Sequence, residues 1–130
     1  MRVIAGTAKG VRLESPKNSQ IRPTLDRVRE SLFNILAPRI PDARFLDLFA
    51  GTGANGIEAL SRGAAFCRFI DTAHEARAVI EQNLALAKVG EVGSILSCTL
   101  PHGLAELSEG YDVVFADPPY EFDQHRELLD

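Results

Sequence analysis

The chain has 130 residues, 45% of them hydrophobic and 25% charged, which at roughly 100 to 200 residues per domain describes one domain with a sizeable core and no room for a second. No apolar run approaches the ~20 residues of a membrane helix, and Lys9 follows the opening residues too soon for a secretory signal, so a cytoplasmic protein free of the membrane is expected. The net charge of -4 hides a division: residues 1–44 carry nine Lys or Arg against four acids, a net of +5, and residues 45–130 sum to -9. A basic segment beside an acidic body suits a polyanion, because phosphate neutralisation supplies most non-specific nucleic-acid affinity, although a solvated surface with a chance imbalance gives the same count.

Residues 2–5 and 11–13 are short β-prone runs separated by Thr7-Ala8-Lys9-Gly10. They predict a hairpin arm with Gly10 available for positive φ and with Arg2, Lys9 and Arg12 at its tip and flanks. Residues 15–20 read as a loop, Arg22 precedes a helix, and Thr24 is a suitable N-cap for that helix over 25–36, which Ala37-Pro38 stops. At 100° per residue Leu25, Val28, Leu32, Phe33, Ile35 and Leu36 share one arc. Arg29 falls inside it, as a snorkelling side chain or as one that lines a site.

From Phe45 the pattern becomes strand, turn, helix. Strands are predicted over 45–49, 66–70, 94–98 and 112–116, with helices over 57–61, ended by Arg62-Gly63, and over 73–88, closed by Gly90. Strands alternating with helices imply an α/β fold with a doubly wound, mostly parallel sheet and right-handed crossovers. The reading is one domain, with a basic arm and helix over 1–44 and a cofactor-binding and catalytic α/β part over 45–130.

Gly51-Thr52-Gly53-Ala54-Asn55-Gly56 matches G-x-G-x-x-G between a strand and a helix, and Asp71 ends the next strand 20 residues after Gly51. Such a turn lets backbone approach an adenosine-containing ligand while an acid holds its ribose hydroxyls. A dinucleotide for hydride transfer and S-adenosylmethionine for methyl transfer both fit. Asn55 and Glu58 have the spacing of a capping box, so Asn55 is read as a helix cap. Cys67 and Cys98 lack CxxC spacing and His74, His102 and His125 form no ligand pattern, which predicts free thiols and no metal.

The fourth strand runs into Asp117-Pro118-Pro119-Tyr120 at the ligand-binding carboxyl edge. An exocyclic amino group on a base is a poor nucleophile because its lone pair is delocalised into the ring. A carboxylate from Asp117 and the carbonyl of Pro118 can hold its two N–H bonds and localise that pair. The prolines add no competing donor. Tyr120 offers a flat face to an extruded base. A nicotinamide-dependent oxidoreductase would explain the glycine turn and Asp71 but would leave Asp117 to Tyr120 and the arm without a role.

Taken together, the arm Met1 to Leu13, the helix Arg22 to Leu36, Phe45-Leu46-Asp47-Leu48-Phe49-Ala50-Gly51-Thr52-Gly53, Glu58 to Ala64 and Asp117-Pro118-Pro119-Tyr120 resemble the bacterial 16S ribosomal RNA guanine-N2 methyltransferases. The resemblance implies a class I methyltransferase fold, S-adenosylmethionine as donor, and 16S ribosomal RNA or the assembling small ribosomal subunit as partner. It implies cofactor contacts at Asp47, Phe49, Ala50, Gly51, Thr52, Gly53, Asp71 and Thr72, and RNA contacts at Arg2, Lys9, Arg12, Arg22 and Arg29. Where that family has an acid after the third strand, this chain has Ser97-Cys98-Thr99-Leu100-Pro101, so the adenine contact falls to Cys98 or a backbone N–H. The tetrapeptide alone also suits adenine-N6 methyltransferases. The family's sheet has seven strands and this sequence supplies four, so the longer form is expected to be monomeric. The 130-residue chain is expected to expose the edge of Val113 to Ala116 and self-associate, or to be a non-catalytic remnant.

Overall fold

The computed structural model describes residues 1–14, 23–48, 50–71, 74–97 and 110–116. Its sheet consists of β1 (Arg44–Leu48), β2 (Phe66–Asp71), β3 (Gly93–Ser97) and β4 (Val113–Ala116), all parallel, in the order β3-β2-β1-β4. The chain moves outward from β1 to β3 and then returns to the other side of β1. That reversal is a topological switch point, and ligands of open α/β sheets bind outside the carboxyl ends of the strands there. Four consecutive residues of β1 after Arg44 are buried, as in a strand covered on both faces. Leu48 is level with Ile70 on one side and with Ala116 on the other. Among the described residues β4 is an outer strand, and its Val114 is 56% exposed. It starts one residue later than expected: Asp112 still donates its N–H to Arg44 O at 2.8 Å, but its side-chain Oδ2, in place of a backbone carbonyl, accepts the Arg44 N–H at 2.9 Å.

Helix α1 (Pro23–Leu36) opens on Pro23, whose missing N–H would have had no helical acceptor, so Thr24 lies inside the helix instead of capping it. Its inner face also differs from the predicted arc. Phe33 is fully buried and stacks on Phe45 with ring centroids 6.1 Å apart, whereas Val28 and Ile35 are 59% and 77% exposed. The inner stripe is Arg29, Leu32, Phe33 and Leu36, with the i, i+3, i+4, i+7 spacing of a helix face. Arg29 takes a core position because, besides Asp26 of its own helix, it finds partners on other elements, which a count of local apolar residues does not register.

Helix α2 (Ala54–Ser61) is buried at every residue but Asn55. It begins earlier than predicted, at an N-cap formed by Gly53 with φ +82° and no side-chain bond, so Asn55 is not a cap and the capping box is absent. Helix α3 (His74–Leu86) ends where Lys88, not Gly90, adopts the left-handed conformation, and Gly90 opens a 3₁₀ turn over Gly90–Val92. All three helices contribute to one core against the Phe45 and Phe69 face of the sheet, while Leu46, Leu48 and Ile70 form a smaller cluster on the other face. The first residues belong to the larger core. Val3, Ala8 and Leu13 are buried in it, so the packing has no boundary near residue 44. The expected hairpin is a single antiparallel bridge, Arg2 to Arg12, flanked by Val3 N–H to Val11 O (2.9 Å) and Leu13 N–H to Met1 O (2.8 Å).

Candidate cofactor and nucleic-acid site

The turn between β1 and α2 lies at the switch point. Ala50 donates its N–H to Ile70 O at 2.8 Å and its carbonyl accepts the Gly53 N–H at 2.8 Å, which fixes the turn to the end of β2. Asp71 reaches across from β2, its Oδ2 accepting the Gly51 N–H at 2.8 Å. Gly51 has φ +59°, and a Cβ built on it would find no atom of the described residues within 4 Å, so among them the backbone here faces open space. A turn exposed at a residue without a side chain, Gly51, bordered by a half-exposed carboxylate and set at the carboxyl edge, fits the adenosine and amino-acid ends of S-adenosylmethionine. Gly51 and Asp71 would hold it.

Two expected contact residues act from beneath. Asp47 is 1% exposed, and its Oδ2 accepts the Gly56 N–H at 3.2 Å, which satisfies a first-turn donor of α2 and holds the helix end against β1. It props the turn and leaves no surface to a ligand. A Cβ on Gly53 would meet Ile80 and Phe69 of the core at 3.3–3.4 Å, so this glycine serves the chain's own packing. Burial, with Asp47 beside it, raises the Cys67 thiol well above its ordinary range and keeps it protonated.

The arm is held to the body by side chains that bond its backbone. Fully buried Glu58 accepts the N–H groups of Ile4 (2.8 Å) and Ala5 (3.1 Å). Ser61 Oγ donates to Ala5 O (2.6 Å) and accepts the Ala8 N–H (2.9 Å). Asn83, also fully buried, accepts the Glu14 N–H at 2.7 Å and donates to Glu14 O at 3.0 Å and Thr52 O at 2.9 Å. Neither Glu58 nor Asn83 was assigned this part from the sequence. The available signal was a polar residue within an apolar helical stripe, as Asn83 is within Ile80, Leu84 and Ala87.

Arg2, Lys9 and Arg12 are exposed on this arm. Arg2 and Arg12 face each other at a non-hydrogen-bonded pair, where opposed side chains come closest and like charges repel. Arg29, expected to meet RNA, is mostly buried and also lines the cleft described below. It is 6% exposed, donates to Arg2 O at 2.7 Å and Asp26 Oδ1 at 2.8 Å, and its Nε stands 3.6 Å from Glu58 Oε1. Its guanidinium braces the underside of the arm. A cleft of about 200 Å³ opens between α1, the turn and β4, lined by Met1, Val28, Leu32, Thr52, Asn55 and Phe115 among others. Phe49, Thr72, Cys98, Arg22 and the run Asp117, Pro118, Pro119 and Tyr120 lie outside the described residues.

The family model described as conserved hypothetical protein 95 matches residues 1–130. The chain belongs to that family. Members similar to it include YlbH of Bacillus subtilis, 40% identical over 99% of this chain and 72% of the relative. The ribosomal RNA small subunit methyltransferase D of Escherichia coli is 43% identical over 92% of this chain and 60% of the relative. The solved structure of Escherichia coli yhhF is 41% identical with a TM-score of 0.87, matching 98% of this chain and 69% of that one. The chain thus spans 60–72% of the length of these relatives, and its parallel sheet with packed helices is the Rossmann-like arrangement of the methyltransferase fold.

Proposed function

We propose that this chain carries the donor-binding and catalytic part of an S-adenosylmethionine-dependent methyltransferase that modifies the exocyclic N2 amino group of a guanine in 16S ribosomal RNA, a reaction of the cytoplasm. The observation that carries the reading is the pairing of β4 directly with β1. It brings the strand that leads into Asp117-Pro118-Pro119-Tyr120 beside the strand that leads into the open glycine turn. The name of the Escherichia coli relative supports a ribosomal RNA substrate.

Bound over the turn, the cofactor supplies an electrophilic methyl group on a positively charged sulfur. Gly51 admits it closely and Asp71 orients its ribose, with Asp47 and Asn83 holding the turn in shape. Arg2, Lys9 and Arg12, joined by Arg22, meet phosphates and bring the RNA across the arm, and the cleft beside Phe115 admits the extruded base. Asp117 and the Pro118 carbonyl accept the two amino N–H groups, Tyr120 stacks on the base, and the nitrogen lone pair is left directed at the methyl carbon. The donor would supply the methyl group with the C–S bond electrons leaving on sulfur, and the residues of the chain would hold the amino nitrogen in line and let its proton pass to solvent. Alignment and electrostatics drive this displacement, since the leaving group is already good.

The test is methyl incorporation from labelled S-adenosylmethionine into a 16S transcript and into small subunits, with nucleosides identified by mass spectrometry. N2-methylguanosine is expected. Asp117→Ala should abolish incorporation while S-adenosylhomocysteine affinity stays within a few fold, because the interaction serves the reacting base more than the bound donor. N6-methyladenosine as product, or binding of NAD in place of S-adenosylhomocysteine, would overturn the assignment.

A further inference from the structure

We infer that Asn83 is a positioning residue that couples the cofactor turn to the basic arm, so that the methyl donor and RNA bind cooperatively; this rests on the donor and RNA sites proposed above. Asn83 sits on the inner stripe of α3, where an apolar side chain would continue Ile80, Leu84 and Ala87, and it is fully buried. A buried amide is costly unless it is bonded, and this one uses its oxygen and both of its N–H groups. The oxygen and one N–H close a two-point clamp on Glu14 at the end of the arm, with bonds of 2.7 and 3.0 Å. The remaining N–H reaches Thr52 O at 2.9 Å, inside the glycine turn. No bond of the set serves α3 itself.

The amide is planar, so a single side-chain orientation must satisfy all three bonds. A ligand that orders the turn fixes Thr52 O, which fixes the plane of the amide and with it the backbone of Glu14, two residues from Arg12. RNA held by Arg2 and Arg12 orders the same amide from the other side. Each ligand therefore meets an ordering cost that the other has already removed, and the coupling must be reciprocal. Leucine in this place would pack with the stripe and leave the two segments independent.

The experiment measures S-adenosylhomocysteine affinity with and without a saturating 16S transcript, and transcript affinity with and without saturating S-adenosylhomocysteine. In the wild-type chain each ligand should tighten the other by the same factor, about fivefold to tenfold. Asn83→Asp keeps the shape but loses both donors, so the factor should fall to about one, whatever the change in the affinity of either ligand alone. A residue that only stabilised the fold would weaken both ligands and leave the factor unchanged. Independent binding in the wild type, or coupling that survives in Asn83→Asp, overturns the inference. Should Asn83→Asp not fold, amide exchange in the wild type decides: S-adenosylhomocysteine should slow exchange of the Glu14 N–H, and an unchanged rate overturns the coupling. A wild-type chain that fails to bind S-adenosylhomocysteine at all would instead sink the methyltransferase reading itself.

Discussion

The arm and the glycine turn are both irregular, both rest near α2, and both contain a glycine at positive φ, +89° at Gly6 and +59° at Gly51. What surrounds those glycines is opposite. A Cβ on Gly6 would lie 1.9 Å from Ser61 O, inside the backbone of α2, while one on Gly51 would meet nothing. The arm is pressed onto the helix and bonded by Glu58, Ser61 and Asn83, whereas the turn is propped from below and open above. Space around the absent side chain, more than the glycine or its φ, is what separates Gly6 from Gly51.

The sharpest way to break this contrast is at the arm's anchor. Glu58→Ala should cost about 3–5 kcal/mol of stability, because it strands buried Arg29 and two arm N–H groups without their carboxylate; urea denaturation measures it. Gly6→Ala should cost about 2–4 kcal/mol from the clash with Ser61 and the strained φ, whereas Gly51→Ala should cost about 1 kcal/mol and weaken S-adenosylhomocysteine binding. Equal destabilisation by the two glycine variants would dissolve the comparison.

Asp71→Ala sharpens the turn's side of it. The loss of S-adenosylhomocysteine affinity should be about 1.5–3 kcal/mol, as for hydrogen bonds to a charged group, and calorimetry that finds an unchanged dissociation constant removes Asp71 from the site. On the arm's outer surface, replacing Arg2, Lys9 and Arg12 by alanine should flatten the salt dependence of RNA affinity by about one unit or less per lost contact. Stability should hold or rise slightly as the opposed Arg2 and Arg12 charges disappear. The smallest effect concerns the core beneath the turn. The Cys67 thiol is held protonated in the fold, so the unfolded chain releases its proton first as pH rises. Stability should therefore decline through the ordinary thiol range, and Cys67→Ala should remove that part of the slope.

The sheet was readable because buried parallel strands are short apolar runs between turn residues, and Phe45 to Leu48 and Phe66 to Ile70 stand out as such. The glycine turn and Asp71 were readable because their spacing follows from a strand–helix–strand unit. What escaped is long-range. Glu58 looks like the partner of Asn55 three residues away, yet besides Arg62 on its own helix turn it accepts the backbone N–H groups of residues that lie 53 and 54 positions earlier in the chain. Arg29 looks like an intruder on an apolar face, and Asp26, one turn earlier, explains its burial only together with the Arg2 carbonyl and Glu58. Asn83 has no local reason to be polar. Helical periodicity reports which face is inward, and it assumes that inward means apolar. Where a core position carries a side chain that bonds another segment's backbone, as at residues 29, 58 and 83, that assumption fails.

The register of the sheet carries one further consequence. Ile70 and Ala116 flank Leu48 at the same level on opposite sides, and hydrogen-bonded strands stand about 4.8 Å apart, so the ends of β2 and β4 are separated by roughly 10 Å. That interval is a ruler made of backbone amides alone, and no side-chain replacement lengthens or shortens it. A molecule gripped at the end of β2 and required to react at the end of β4 must be long enough to bridge two strand spacings. A truncated nucleoside could occupy the grip and still fall short of the reaction. If donor and base sit as proposed above, interstrand geometry sets the least length of a donor that can bridge them.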